Sequence, residues 1–112
     1  MNWKDLNEIS QLDSIVEQSN TQSVLIFKHS TRCSISSMAK SRLEREWGDD
    51  SSIKPYYLDL ISFRNISDEI AHRFDVFHQS PQALLIKEGK CIYDASHSLI
   101  SADAINNALK QN

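Results

Sequence analysis

Val24-Leu25-Ile26-Phe27-Lys28-His29-Ser30-Thr31-Arg32-Cys33-Ser34-Ile35-Ser36-Ser37 is the stretch on which the reading of this chain turns. It opens with a short apolar run, Val24 to Phe27, bounded by polar residues. That is the pattern of a strand buried on both faces. The stretch then turns polar and places Cys33 just before a segment of helical period. Ile35, Met38, Ala39, Leu43 and Trp47 recur at steps of three and four, with Lys40, Glu44 and Arg45 between them. A thiol at a helix start faces unpaired backbone N–H groups and the positive end of the helix dipole. Both favour thiolate, the reactive form of cysteine.

Cys33-Ser34-Ile35-Ser36 reads C-x-x-S, a redox C-x-x-C motif with serine in place of the second cysteine. Arg32 and His29 are candidates to add positive charge beside the sulfur. The competing reading is a small buried cysteine that caps the core, since free cysteine is commonly buried and inert.

Composition sets the class. The chain has 112 residues, 40% of them apolar and 24% charged, which fits one globular domain over residues 1–112. The formal charge is -3, from 12 basic and 15 acidic side chains, with no basic cluster. That argues against nucleic acid as the main partner. No apolar run approaches the ~18 residues of a membrane span. Met1 to Asp5 lacks the apolar core of a signal peptide. A reducing cytoplasm is the expected location, and two cysteines there are expected to be free thiols.

Outward from the central stretch, Trp3, Leu6 and Ile9 fit a loose lead-in or a short edge strand. Ser10-Gln11-Leu12-Asp13 resembles a capping box, with Ser10 as N-cap, before a helix whose apolar side is Leu12, Ile15 and Val16. Gly48 is placed to end the Cys33 helix after Trp47. Asp49 to Lys54 reads as a polar loop, and Pro55 to Leu60 as a second strand with proline tolerated at its start. Ile66, Ile70 and Phe74 mark a helix between about Phe63 and Phe74. The β-α-β-α order implies parallel strands with right-handed crossovers. Ala83 to Ile86 and Cys91 to Tyr93, separated around Glu88-Gly89-Lys90, signal a hairpin. A last helix is predicted from near Ser101, a good N-cap, with Ala104, Ile105, Ala108 and Leu109 on its apolar side.

A βαβ unit followed by a hairpin and a C-terminal helix resembles the thioredoxin core. The expectation is an α/β fold with a four-stranded mixed sheet and helices on both faces. The resemblance implies a reactive cysteine at the start of the helix after the central strand. It also implies a cis-proline opening the hairpin strand and facing that cysteine. Pro81, in Gln79-Ser80-Pro81-Gln82, is the candidate. In that hairpin Pro81 sits at the active end and Gly89 at the other. Six residues at ~3.3 Å each put Cys91 roughly 20 Å from Cys33, whereas a disulfide needs Cα atoms within ~7 Å. Cys91 is therefore read as structural.

Phe27 to Ser36, with Tyr56-Tyr57-Leu58-Asp59, His78-Gln79-Ser80-Pro81-Gln82 and Ala95-Ser96-His97, resembles the monothiol bacilliredoxin family. These are small bacterial thioredoxin-fold proteins of the bacillithiol system. The resemblance runs over nearly the whole chain and is most specific around Cys33. It implies exchange between S-thiolated client proteins and a low-molecular-weight thiol, bacillithiol or similar, as co-substrate, without a bound cofactor. Cys33 is the attacking sulfur in that reading, supported by Arg32, Ser36 and His29. Ser36 is either a hydrogen-bond donor to the thiolate or a solvated helix-start serine. Thr31, Ser34, Ser80 and Pro81 are the expected substrate-binding residues, with Ser80 backbone groups pairing a partner as an added strand. The family often has proline directly after the cysteine; this chain has Ser34.

His29, His72, His78 and His97 show no ligand spacing with either cysteine, so no metal site is expected. His78 is a candidate for the border of the binding groove. Tyr56, Tyr57 and Trp47 are expected in the core. Two other readings stay open. One is an iron–sulfur monothiol glutaredoxin, whose C-G-F-S places glycine where this chain has Ser34. The other is a thioredoxin-fold adaptor that binds partners without exchange.

Overall fold

The computed structural model describes residues 1–48 and 52–111. Its sheet has five strands: β1 (Lys4–Asp5), β2 (Ser23–His29), β3 (Ile53–Asp59), β4 (Gln82–Lys87) and β5 (Lys90–Ser96). The helices are α1 (Gln11–Gln18), α2 (Ser34–Trp47), α3 (Arg64–Phe74) and α4 (Ala102–Lys110), with a 3-10 turn at His97–Leu99. The sheet order is β1-β3-β2-β4-β5. β1, β3 and β2 run parallel, and β4 and β5 are antiparallel to their neighbours. That is one strand more than the four expected, because the Trp3–Leu6 lead-in pairs with β3.

β2 is buried along its whole length, and its alternation assigns side chains to two cores. Leu25 and Phe27 join Ala83, Leu85 and residues of α2 and α4 on one face. Val24 and Ile26 join Leu84, Ile86 and residues of α1 and α3 on the other. Each large apolar side chain buried this way contributes about 1.5–3 kcal/mol. The strand does not stop at Phe27 as its apolar run suggested. It continues through Lys28 and His29, both buried.

The turns follow local chemistry. Glu88 and Gly89 take φ of 52° and 77°, the pattern of a two-residue hairpin loop. That loop is tied down by Ser19, whose carbonyl and hydroxyl accept from the N–H groups of Glu88 and Gly89. Ser101 caps α4, its hydroxyl accepting from the Ala104 N–H. Ser10 stands at the α1 N-cap, but its hydroxyl caps no backbone N–H. The side-chain Oε1 of Gln11 accepts instead from the Asn7 and Glu8 N–H groups just before the helix.

Of the polar loop expected at Asp49 to Lys54, residues 49–51 lie outside the described residues, and Ile53 and Lys54 belong to β3. Pro55 is thus inside the strand. Tyr57 directs its carbonyl to Leu6 on the β1 side. Pro55, two residues earlier, turns its nitrogen to that same edge before β1 begins, where no donor is missed. Among the described residues no helix is long and apolar enough to cross a membrane.

Candidate functional site

Topology brings the end of β2 and the start of β4 together. Lys28 pairs with Gln82 across the antiparallel ladder, so Ser80 and Pro81 stand beside the loop that carries Cys33. The Ser80–Pro81 peptide is cis, the geometry the resemblance implied. Pro81 is buried and Ser80 half-buried, while Thr31, Arg32 and Ser34 are exposed around the thiol. The Pro81 carbonyl accepts from His97, which draws the turn after β5 to the same end.

Cys33 is the N-cap residue of α2, with extended backbone, and is half-buried. Its N–H donates to the Ser30 carbonyl and its own carbonyl accepts from Ser37, both at 3.1 Å. Cys33 thus stands at the first turn of α2, whose N–H groups lack helical partners, while its sulfur caps none of them.

Helix α2 turns Ala39, Leu43 and Trp47 inward as their spacing suggested, but not Ile35 and Met38. Ile35 and Met38 are exposed, at 57% and 67%, and Ser36 takes the inner position with Ala39, Leu43 and Trp47. Ser36 is fully buried. Its oxygen lies 2.6 Å from His29 Nδ1 and accepts from the Ser30 N–H at 3.0 Å. The hydroxyl therefore braces the loop between β2 and α2, and it is not a solvated serine. Burial, followed by the nearby Lys40 charge, lowers the His29 pKa against the opposing pull of Asp59 and Glu44. The Ser36 hydroxyl and His29 Nδ1 share one hydrogen bond, whose donor is set by the ring tautomer.

Lys28 was not singled out from the sequence. Its side chain is fully buried on the α3 face of the sheet. Nζ lies 3.5 Å from the Ser67 carbonyl and 3.4 Å from His78 Nδ1. His78 also meets the Ser67 hydroxyl at 3.2 Å, so its Nδ1 turns toward α3 although the residue as a whole is exposed. Burial pushes the Lys28 pKa from 10.5 down to about 8. Nothing in the apolar pattern announces Lys28; only the register of β2 places it inside.

Cys91 pairs with Ile86, at the end of the hairpin away from Pro81. It is a free, half-buried thiol that donates to the Tyr93 carbonyl. Burial, with Asp94 nearby, pushes its pKa from 9.0 up to about 11.

A cleft of about 410 Å³ runs beside α2 on the β1–β3 side. Trp3 and Tyr57 form its walls, with Lys40 Nζ over both rings at 5.8 and 5.5 Å. Glu44 ties this corner together by bonding both Trp3 Nε1 and Lys40. Tyr56 and Trp47 are core residues as expected, whereas Tyr57 is only half-buried.

The family model of the monothiol bacilliredoxin BrxC matches residues 4–105. A solved structure described as a candidate oxidoreductase with a thioredoxin fold is 28% identical. It superposes with a TM-score of 0.82 over 94% of this chain and 91% of its own. Oxidised mitochondrial thioredoxin 3 from Saccharomyces cerevisiae superposes with a TM-score of 0.75 at 16% identity, covering 98% of this chain and 95% of that one. Thioredoxin from Trypanosoma brucei brucei gives 0.73 at 14% identity, over 98% and 89%. The last two likenesses establish the thioredoxin fold.

Proposed function

The chain belongs to the monothiol bacilliredoxin family, and on that premise we propose that it exchanges disulfides between client proteins and a low-molecular-weight thiol, bacillithiol. The Cys33 thiolate attacks the small-thiol sulfur of a client mixed disulfide. A new S–S bond joins Cys33 to the small thiol, and the client leaves as thiolate. A second small thiolate then attacks the sulfur of the bound small thiol. Cys33 leaves as thiolate and a small disulfide is released. No net oxidant is needed.

The observation that carries this reading is the isolation of Cys33 from any second thiol of the protein. Position 36 holds a buried serine, and Cys91 sits at the far end of the sheet. The regenerating thiol must come from outside. Support for protein clients comes from the apolar groups at the same end. Ile35, Met38, Phe77 and Leu99 are exposed, Phe77 by 93%. Such a surface suits an extended apolar segment flanking a client cysteine. Two free thiols fit the reducing cytoplasm as the site of exchange.

Intact mass after exposure to a small disulfide tests the proposal. The expected product is a one-to-one adduct, kept by Cys91→Ser and lost by Cys33→Ser under native conditions. An internal Cys33–Cys91 disulfide in the folded protein would overturn it. Failure of any adduct to form on native protein would favour the adaptor reading.

A further inference from the structure

The exchange proposed above leaves one geometric question. The disulfide that Cys33 attacks carries two bodies, the client on one sulfur and the rest of the small thiol on the other. Both must lie against the protein at the same moment, on separate surfaces. The sheet order supplies two. β2, which leads into Cys33, separates β4 and β5 on one side from β3 and β1 on the other. The β4–β5 side presents Ser80, Pro81 and the exposed side chains of Phe77 and Leu99. The β3–β1 side presents the cleft along α2.

The two surfaces differ in chemistry. Phe77 and Leu99 make the first apolar. The cleft has aromatic walls, Trp3 and Tyr57, with the buried ring of His29 between them and α2. Its rim carries the hydroxyls of Ser37 and Ser41, the Lys40 ammonium and the Asp5 carboxylate. Its volume, about 410 Å³, falls within the ~300–1,000 Å³ of small-molecule clefts. It begins one helical turn along α2 from Cys33, at Ser37, whose N–H donates to the Cys33 carbonyl. The Lys40 ammonium is shared with Glu44, 2.8 Å away. With the Asp5 carboxylate and the two hydroxyls it gives a rim of both charge signs, which suits a small molecule bearing both amine and carboxylate groups.

We infer that this cleft holds the non-sulfur body of the small thiol bonded to Cys33, and that it selects zwitterionic thiols over uncharged ones. The inference rests on the exchange reading and adds where the co-substrate lies and what kind it is. The client occupies the Ser80–Pro81 side. Lys40 and Asp5 meet the carboxylate and the amine, and the aromatic walls exclude water from the body between them. The bond changes are those of the exchange already given.

Ser41→Trp tests it by filling the cleft from an exposed helix position without touching the core. Adduct formation at Cys33 is followed with glutathione disulfide, whose halves carry amine and carboxylate groups, and with uncharged 2-hydroxyethyl disulfide. The ratio of the two rates is expected to fall about tenfold or more in the variant. An unchanged ratio overturns the inference. A second measurement uses wild-type protein and S-methylglutathione, which cannot exchange. Saturable amide and indole shifts at Trp3, Ser37 and Ser41 are expected. Shifts confined to residues 77–82, or none that saturates at millimolar concentration, overturn the assignment. Because this second measurement needs no reaction, a protein that fails to exchange still decides the cleft. Conversely, an adduct on wild-type Cys33 stands whatever the cleft does.

Discussion

His29 Nδ1 lies 2.6 Å from the hydroxyl of Ser36, and both side chains are buried. The serine that occupies the place of a resolving cysteine thus serves as a brace. It joins the last residue of β2 to the first turn of α2, and its second bond, from the Ser30 N–H, pins the loop between them.

Ser36→Ala removes that brace and leaves a buried imidazole nitrogen and a backbone N–H without their partner. The cost expected for such stranded groups is about 1–3 kcal/mol. Denaturant unfolding checks it. Ser36→Thr, which keeps the hydroxyl, is expected to recover part of the loss. A Ser36→Ala protein as stable as wild type would show that the bond contributes nothing net.

Acid weakens the fold through the same imidazole. Burial lowers the pKa of His29, and to the same side that of His78, so the unfolded chain binds these protons first. Stability is full above the ordinary histidine value of about 6.5 and declines as pH falls below it. The buried His29 dominates, since His78 is exposed. Unfolding free energies measured between about pH 7.5 and 5.5, above the range where Glu44 titrates, are expected to slope in wild type. They are expected to slope less in His29→Asn. Equal slopes would remove His29 as the cause.

Alkali acts on Lys28 and Cys91 with opposite signs. With the Lys28 pKa lowered from 10.5 to about 8, the unfolded chain holds more protons than the fold across that window. Stability therefore rises with pH there, by about 3 kcal/mol at full extent. Cys91, raised from 9.0 to about 11, holds its proton longer in the fold and makes stability fall over its own window. Wild type is expected to gain stability between pH 8 and 9 and to level off above. Cys91→Ser continues to gain, and Lys28→Met loses the rise. Flat curves for wild type and Cys91→Ser alike would show that the Lys28 ammonium is not penalised.

Phe77 stands 93% exposed in the loop before Pro81. Phe77→Asp is expected to slow adduct transfer from an S-thiolated protein several-fold, while transfer from a small disulfide stays within a factor of two. Stability should change by no more than about 0.5 kcal/mol, as for other surface substitutions. Parallel rate measurements with the two substrates decide it. Equal slowing with both would place Phe77 in the chemistry of Cys33 and not in client docking.

Much of this was legible in the chain itself, because it depends on neighbours in sequence. A four-residue apolar run followed by a helical period places Cys33 at a helix start in any fold that buries both. Glu88-Gly89 marks the hairpin because its turn needs positive φ, and Ser101 marks α4 because its hydroxyl reaches the Ala104 N–H locally. The order of these elements resembled the thioredoxin core, and it was that resemblance that implied a mixed sheet with Pro81 at the Cys33 end.

Tertiary structure alone decided which groups are inside. Helical period names a stripe but not the angle at which it meets the sheet. Ser36, Leu43 and Trp47 fall on one line of α2 and meet the sheet, while Ile35 and Met38 lie well round the helix from that line and stay exposed. Ser36 enters because His29 and Ser30 satisfy its hydroxyl. Lys28 is polar and would end a strand by composition, yet the β2–β4 ladder carries it inside, over Ser67 and His78. The two-residue β1 is too short to carry a pattern, and it forms because Trp3 reaches Glu44 and Leu6 reaches Tyr57. That pairing makes a wall of the cleft beside Cys33. The cleft depends on residues 3, 40 and 57, which only the folded sheet brings together.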